Sequence, residues 1–216
     1  MKNYPLPSKI SWWRLPEWLE KLTTRVEVLE DAPAPPTPVA PYKVYTALLT
    51  QSGGDDEQMI NTGTLTVGVT YYIDSNSPGM DFTNVGAPNN NPTTYFVATG
   101  TTPNSWGIDE GADDILFYNT GAPVVTVLEN TIGNIWFEYY NEGQYALDGS
   151  FLELVDISKI FIQVGKPNTA YANTSGYVDF FQIEGPILYI GTRDFDINNL
   201  SNGILSITPI EIRVYN

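Results

Sequence analysis

Asp31-Ala-Pro-Ala-Pro-Pro-Thr-Pro-Val-Ala-Pro41, followed at once by Tyr42-Lys-Val-Tyr-Thr-Ala-Leu-Leu-Thr50, is the junction where the apolar spacing of this chain changes. Before it, apolar residues recur three and four positions apart. After it come runs of β-branched and aromatic residues broken by turn clusters, the pattern of short strands. The prolines between the two favour an extended polyproline-II spacer, about 30 Å long at about 3.1 Å per residue. A docking motif for a proline-binding partner is the alternative reading; a spacer is the simpler one. The predicted organisation is a tail and helix over 1–31, a linker over 32–41, a β module over 42–150 and a C-terminal β region over 151–216.

Upstream of the junction the register can be read directly. Trp12, Leu15, Leu19, Leu22, Val26 and Leu29 fall at alternating three- and four-residue steps, the a/d seam of a coiled coil. Glu17, Glu20, Lys21, Arg25, Glu27 and Glu30 fill the opposite face, and Glu17 precedes Lys21 in the favourable i,i+4 order. Pro16 suits a first helical turn, so the helix is expected from Pro16 to Glu30. That gives about two heptads, and isolated helices below about 12–15 residues are marginal in water, so the seam calls for partners. Val26 at an a position with Leu22 and Leu29 at d leans towards a parallel dimer, while Leu19 and Trp12 at a leave a trimer open. Leu19, Leu22, Val26 and Leu29 are the expected oligomerisation residues. A helix lying on its own β-body would carry a similar stripe.

Ahead of the helix the tail holds Lys2, Lys9 and Arg14, no acid, and the pair Trp12-Trp13. It lacks the apolar run of a membrane span or of a secretory signal. Tryptophan beside basic residues can settle at a membrane interface or fill pockets on a partner protein. Glu17 and Glu20 follow immediately and would be repelled by an anionic membrane, which favours the protein partner. Trp12, Trp13, Leu15 and Trp18 are therefore the candidate anchor. They would equally close the top of a helical bundle, and the two roles are compatible.

The net charge is −15, and no Lys or Arg occurs from Val44 to Ser158. Such a surface disfavours nucleic acid and anionic membranes, both of which are bound through basic side chains. With no Cys and no His, thiolate chemistry, disulfides, Cys-based zinc sites and the usual neutral-pH general base are absent. A carboxylate pair of the glycosidase type remains conceivable in so acidic a chain, but abundance makes each candidate weak. The expectation is a protein that is not an enzyme and carries no cofactor.

Strands are expected at Tyr42–Thr50, Gly63–Val67, Thr70–Ser75, Thr94–Ala98, Asp114–Tyr118, Val124–Glu129, Ile135–Tyr140 and Gln144–Leu147. A second set is expected at Phe151–Val155, Lys159–Val164, Gly176–Gln182, Ile187–Ile190, Ile204–Ile207 and Ile210–Tyr215. The fold class is mainly β, a sandwich or jelly-roll-like antiparallel body behind a short coiled-coil helix. The acidic groups Asp55-Asp56-Glu57, Asp109-Glu110 with Asp113-Asp114, and Asp194-Phe-Asp196-Ile-Asn198 read as solvated loops. The last lacks the glycine and glutamate of a calcium loop. Trp106, Tyr140 and Tyr145 are candidate contacts for a glycan, since exposed rings make an apolar platform. Trp136, Phe137 and Tyr139 lie in an alternating strand where one face should be core.

The segments Tyr42-Lys-Val-Tyr-Thr-Ala-Leu-Leu-Thr-Gln-Ser-Gly-Gly54, Asp81-Phe-Thr-Asn-Val-Gly-Ala87, Tyr95-Phe-Val-Ala-Thr-Gly-Thr-Thr-Pro103 and Pro123-Val-Val-Thr-Val-Leu-Glu-Asn-Thr-Ile-Gly133 carry a likeness. They resemble a module recurring in virion proteins of tailed phages, notably crAss-like phages. The resemblance covers roughly Tyr42 to Leu147 and transfers no functional residue. It implies a head fibre or capsid-decoration protein, assembled in the bacterial cytoplasm and displayed on the capsid surface. It also favours a homotrimer over the dimer suggested by the a/d residues, and leaves both open. A host-glycan adhesin module and a tail-associated virion protein are the alternatives it leaves.

Overall fold

A computed structural model describes residues 15–30, 41–75, 77–107, 116–149, 157–167, 176–182, 188–194 and 199–215. The chain divides into two compact units, Met1–Val39 and Ala40–Asn216. Tail residues Trp12 and Trp13 and linker residues 32–40 lie outside the described residues, as do the side chains of Leu15, Val26 and Leu29.

Helix α1 spans Leu15–Glu30, one residue longer at its start than expected. Pro16 sits in the first turn, where its missing N–H costs nothing, and Glu17 places negative charge at the positive end of the helix dipole. Lys21 Nζ donates to Glu17 Oε1 at 3.1 Å, the i,i+4 pair expected from the sequence. Both side chains are exposed, so the pair adds only a few tenths of a kcal/mol. Thr23 and Thr24 donate back to the carbonyls of Leu19 and Glu20, both at 2.9 Å.

The second unit is built of antiparallel sheets. Strand β1 (Tyr42–Thr50) is central to the first of them. Its alternate residues Tyr45, Ala47 and Leu49 are buried, as a half-buried strand requires. On one side β1 pairs with β14 (Thr208–Tyr215), in a register running from Tyr42 opposite Tyr215 to Leu49 opposite Thr208. On its other side lies β8 (Val124–Asn130), with a bulge between Thr46 and Ala47. With β11 (Ile160–Val164) the sheet order is β11-β14-β1-β8. The second sheet joins β9 (Ile135–Asn141), β10 (Gln144–Gly149), β12 (Gly176–Gln182) and β13 (Leu188–Asp194) in the order β12-β13-β10-β9. Both sheets feed one apolar cluster, in which Tyr45, Leu49, Ile210 and Ile212 from the first meet Phe137, Leu147 and Ile190 from the second.

The third sheet contains β2 (Glu57–Ile60), β3 (Thr70–Ile73), β5 (Thr94–Val97) and β7 (Leu116–Asn119) in the order β2-β7-β3-β5. A two-stranded ribbon of β4 (Met80–Asp81) and β6 (Ser105–Trp106) accompanies it. Tyr71, Ile73, Phe82, Val85, Phe96 and Leu116 form the core of this part. The molecule is thus mainly β, with one α-helix and two single-turn 3-10 helices, Thr83–Val85 and Ile157–Lys159, among the described residues.

The region after residue 150 finishes sheets opened by the first half, since β14 lies between β11 and β1 and β13 lies beside β10. Two expected strands are not strands. Gly63–Val67 and Ile204–Ile207 are irregular, although Leu65, Ile204 and Leu205 are buried. Their apolar residues anchor loops onto the core, while the left-handed backbone of Gly63 and Ile207 breaks any ladder. Conversely, β2 begins at Glu57, inside the acidic run read as a loop. The expected strand Phe151–Val155 lies outside the described residues.

Candidate functional site

Alternation along the third sheet gives it two unlike faces. Tyr71 and Ile73 of β3 enter the core, so Thr70, Tyr72 and Asp74 face the other way. Phe96 of β5 is core and Tyr95 is not; Leu116 of β7 is core, while Phe117 lines the open side. Register then aligns rings across strands, because Tyr72 stands directly opposite Phe117 on one side and Tyr95 on the other. The Tyr72 and Tyr95 ring centroids are 4.7 Å apart, with planes inclined by 46°. Tyr95 also stacks on Trp136 of β9, at 5.4 Å and 5°.

Between this face and β9 lies a cleft of about 390 Å³. Its rings include Tyr72, Tyr95 and Tyr139, and its carboxylates are Glu57, Asp74 and Glu138. Among the described residues no Lys or Arg lines it. Trp136 Nε1 donates to Glu138 Oε1 at 2.9 Å. Burial nonetheless pushes the Glu138 carboxyl above its ordinary range. The Trp136 hydrogen bond opposes the rise and the nearby Asp148 charge adds to it. Burial, and next the negative charge of Glu138, push the Tyr95 phenol up to about 12. Thr70 is 6% exposed, and its hydroxyl has no hydrogen-bond partner among the described residues. Such an arrangement accepts apolar faces and groups that donate hydrogen bonds or carry positive charge, and it repels anions.

Sequence reading placed Trp136 and Tyr139 in an alternating strand and Glu57 in a solvated acidic run, and it gave no role to Thr70, Tyr72, Asp74, Tyr95 or Glu138. The alternation in Thr70-Tyr-Tyr-Ile-Asp74 was the available signal. The partners it meets depend on register, which the sequence does not carry.

The three expected glycan contacts do not form a platform. Tyr145 is a correction: it is wholly buried in the first core, with its hydroxyl donating to Asn202 Oδ1 at 3.3 Å and burial raising its pKa. It follows Gln144, and alternation sends it to the inner face of β10 with Leu147, so no ligand at the surface reaches its ring. Trp106 is half-buried, set edge-on to Phe82 at 5.3 Å and 80°, with Nε1 donating to the Gly63 carbonyl at 3.2 Å. Tyr140 is exposed, its ring edge-on to Tyr189 at 5.0 Å and 68°. Trp106 and Tyr140 belong to different sheets. Phe137 is core, as its strand pattern implied.

On α1, the side chains described from Pro16 to Thr24 are all exposed. They include three large apolar ones, Trp18 at 40%, Leu19 at 48% and Leu22 at 45%. Among the described residues no helix is long and apolar enough to cross a membrane. No group of three or more acidic side chains suited to a metal ion occurs among them either. Asp109, Glu110, Asp113, Asp114, Asp196 and Asn198 lie outside the described residues. Comparisons with protein-family models, with curated proteins and with solved structures give no match for this chain.

Proposed function

We propose that this chain is a non-enzymatic structural protein of a phage particle, a homo-oligomeric head fibre that grips the capsid by its N-terminus and projects a β-body. The body would be a sandwich with jelly-roll-like character, its two larger sheets sharing one core. The observation that carries the reading is the exposure of Trp18, Leu19 and Leu22 along one helix. A helix of 16 residues is barely stable alone, and covering that stripe with copies of itself satisfies both needs at once. The resemblance over Tyr42 to Leu147 supplies the virion setting and favours a trimer over a dimer. The exposed edge strand β8, with Leu128 at 63%, offers further surface for contact between subunits.

The tail around Trp12, Trp13, Leu15 and Trp18 would dock on a capsid protein. Several weak anchors joined in one oligomer gain avidity, because after the first engages the others act at high effective concentration. Leu22→Asp together with Val26→Asp is expected to abolish capsid decoration while leaving the β-body folded. Decoration at wild-type occupancy by that variant overturns the proposal.

A further inference from the structure

The cleft between the third sheet and β9 holds carboxylates without an ion of opposite sign. Glu138 is half-buried there, and among the described residues no Lys or Arg lines the cleft. A desolvated carboxylate with no counter-charge is unfavourable as the anion, so a cation that enters the cleft is bound favourably. Thr70 gives a second, independent sign: a side chain on the cleft face of β3, 6% exposed, with a hydroxyl that no group among the described residues satisfies. Buried polar atoms are almost always paired, so an orphan lining a cavity marks a place where a ligand's polar group fits.

The lining narrows the ligand class. An anion would meet three carboxylates and no base. A metal ion is disfavoured because no group of three acidic side chains converges closely enough to hold one among the described residues. A neutral ligand would satisfy Thr70 and cover the rings, yet leave Glu138 uncompensated. Tyrosine rings in the lining, Tyr72 and Tyr139 among them, attract organic cations through the negative face of the ring.

We propose that the cleft bounded by Tyr72, Tyr95, Glu57, Asp74 and Glu138 binds a small organic cation, an ammonium group carried on an alkyl or sugar-sized body. The ammonium is held by the carboxylates and the tyrosine faces, the body occupies the remaining volume, and Thr70 receives or donates one hydrogen bond at the floor. Every residue involved comes from one chain, so the site does not depend on the oligomeric state proposed above.

Calorimetric titration of the full chain with choline, cadaverine and glucosamine tests this, with glucose and acetate alongside. Saturable binding of at least one ammonium probe is expected, with neither glucose nor acetate binding. Asp74→Asn should weaken that binding about tenfold, and Tyr72→Ala by a similar factor. Asp74 is exposed, so its substitution leaves a folded protein to measure even if the tyrosine variant does not fold. The proposal is overturned if none of the three ammonium probes saturates, if glucose binds as well as glucosamine, or if Asp74→Asn binds like wild type.

Discussion

Helix α1 and the β-body treat their large apolar side chains in opposite ways. In the body, Leu49, Phe96, Phe137, Leu147 and Ile190 are wholly buried in two clusters that the chain assembles from its own strands. On the helix, Trp18, Leu19 and Leu22 keep 40–48% of their surface exposed. A body that supplies its own core is stable by itself; a short helix with an uncovered stripe draws its stability from what covers the stripe. The difference teaches that the two units answer to different perturbations, and each substitution below is a way to test that separation.

The largest effect is expected from Leu19→Asp with Leu22→Asp. Two charges in the seam should reduce the protein to single chains and remove most of the helical circular dichroism signal, while the β-body melts at its wild-type temperature. A coincident fall in the body's melting temperature would break the comparison. Leu147→Ala is the mirror image. It deletes a wholly buried side chain from the first core and should cost about 2–5 kcal/mol in denaturant unfolding of the body, with the subunit count unchanged.

Gly68→Ala sharpens the account of the body. Gly68 adopts φ +87°, a left-handed conformation that disfavours side chains, and an added Cβ would collide with the Val125 carbonyl oxygen of β8. A loss of about 1–3 kcal/mol is expected, again without effect on native mass. The smallest effect concerns pH. The Thr83 hydroxyl, then the Asn104 amide and the Thr83 N–H, hold the Asp81 carboxyl well below the usual carboxylate range. A depressed folded pKa contributes stability above the unfolded value, which is lost as pH falls through the folded one. Melting temperature should therefore drop on acidification below about pH 5, and less steeply in Asp81→Asn. Parallel slopes in the two proteins would contradict this.

How much of this was legible in the sequence follows from the range of each signal. The helix and the strands β1, β3, β5, β8, β9, β11 and β12 were readable because periodicity and turn residues act locally. Gly63–Val67 and Ile204–Ile207 misled because burial of a loop residue such as Leu65 or Leu205 produces the same apolar spelling as a strand. Tyr140 and Tyr145 could not be told apart by type, since one is exposed and the other wholly buried according to which face of its strand meets the other sheet. The cleft was illegible for the same reason. Tyr72 meets Phe117 and Tyr95 only through pairing between distant strands, and the placement of β14 beside β1 joins the two ends of the body in the same way. The exposed stripe on α1, by contrast, needed no register beyond its own.

The central claim is that the N-terminal helix assembles the protein. Light scattering of the full chain and of a chain shortened to begin at Pro41 measures it most directly. The account predicts a trimer, or at the least a dimer, for the full chain and a folded monomer for the shortened one. Two monomers, or two oligomers of equal subunit count, would contradict it.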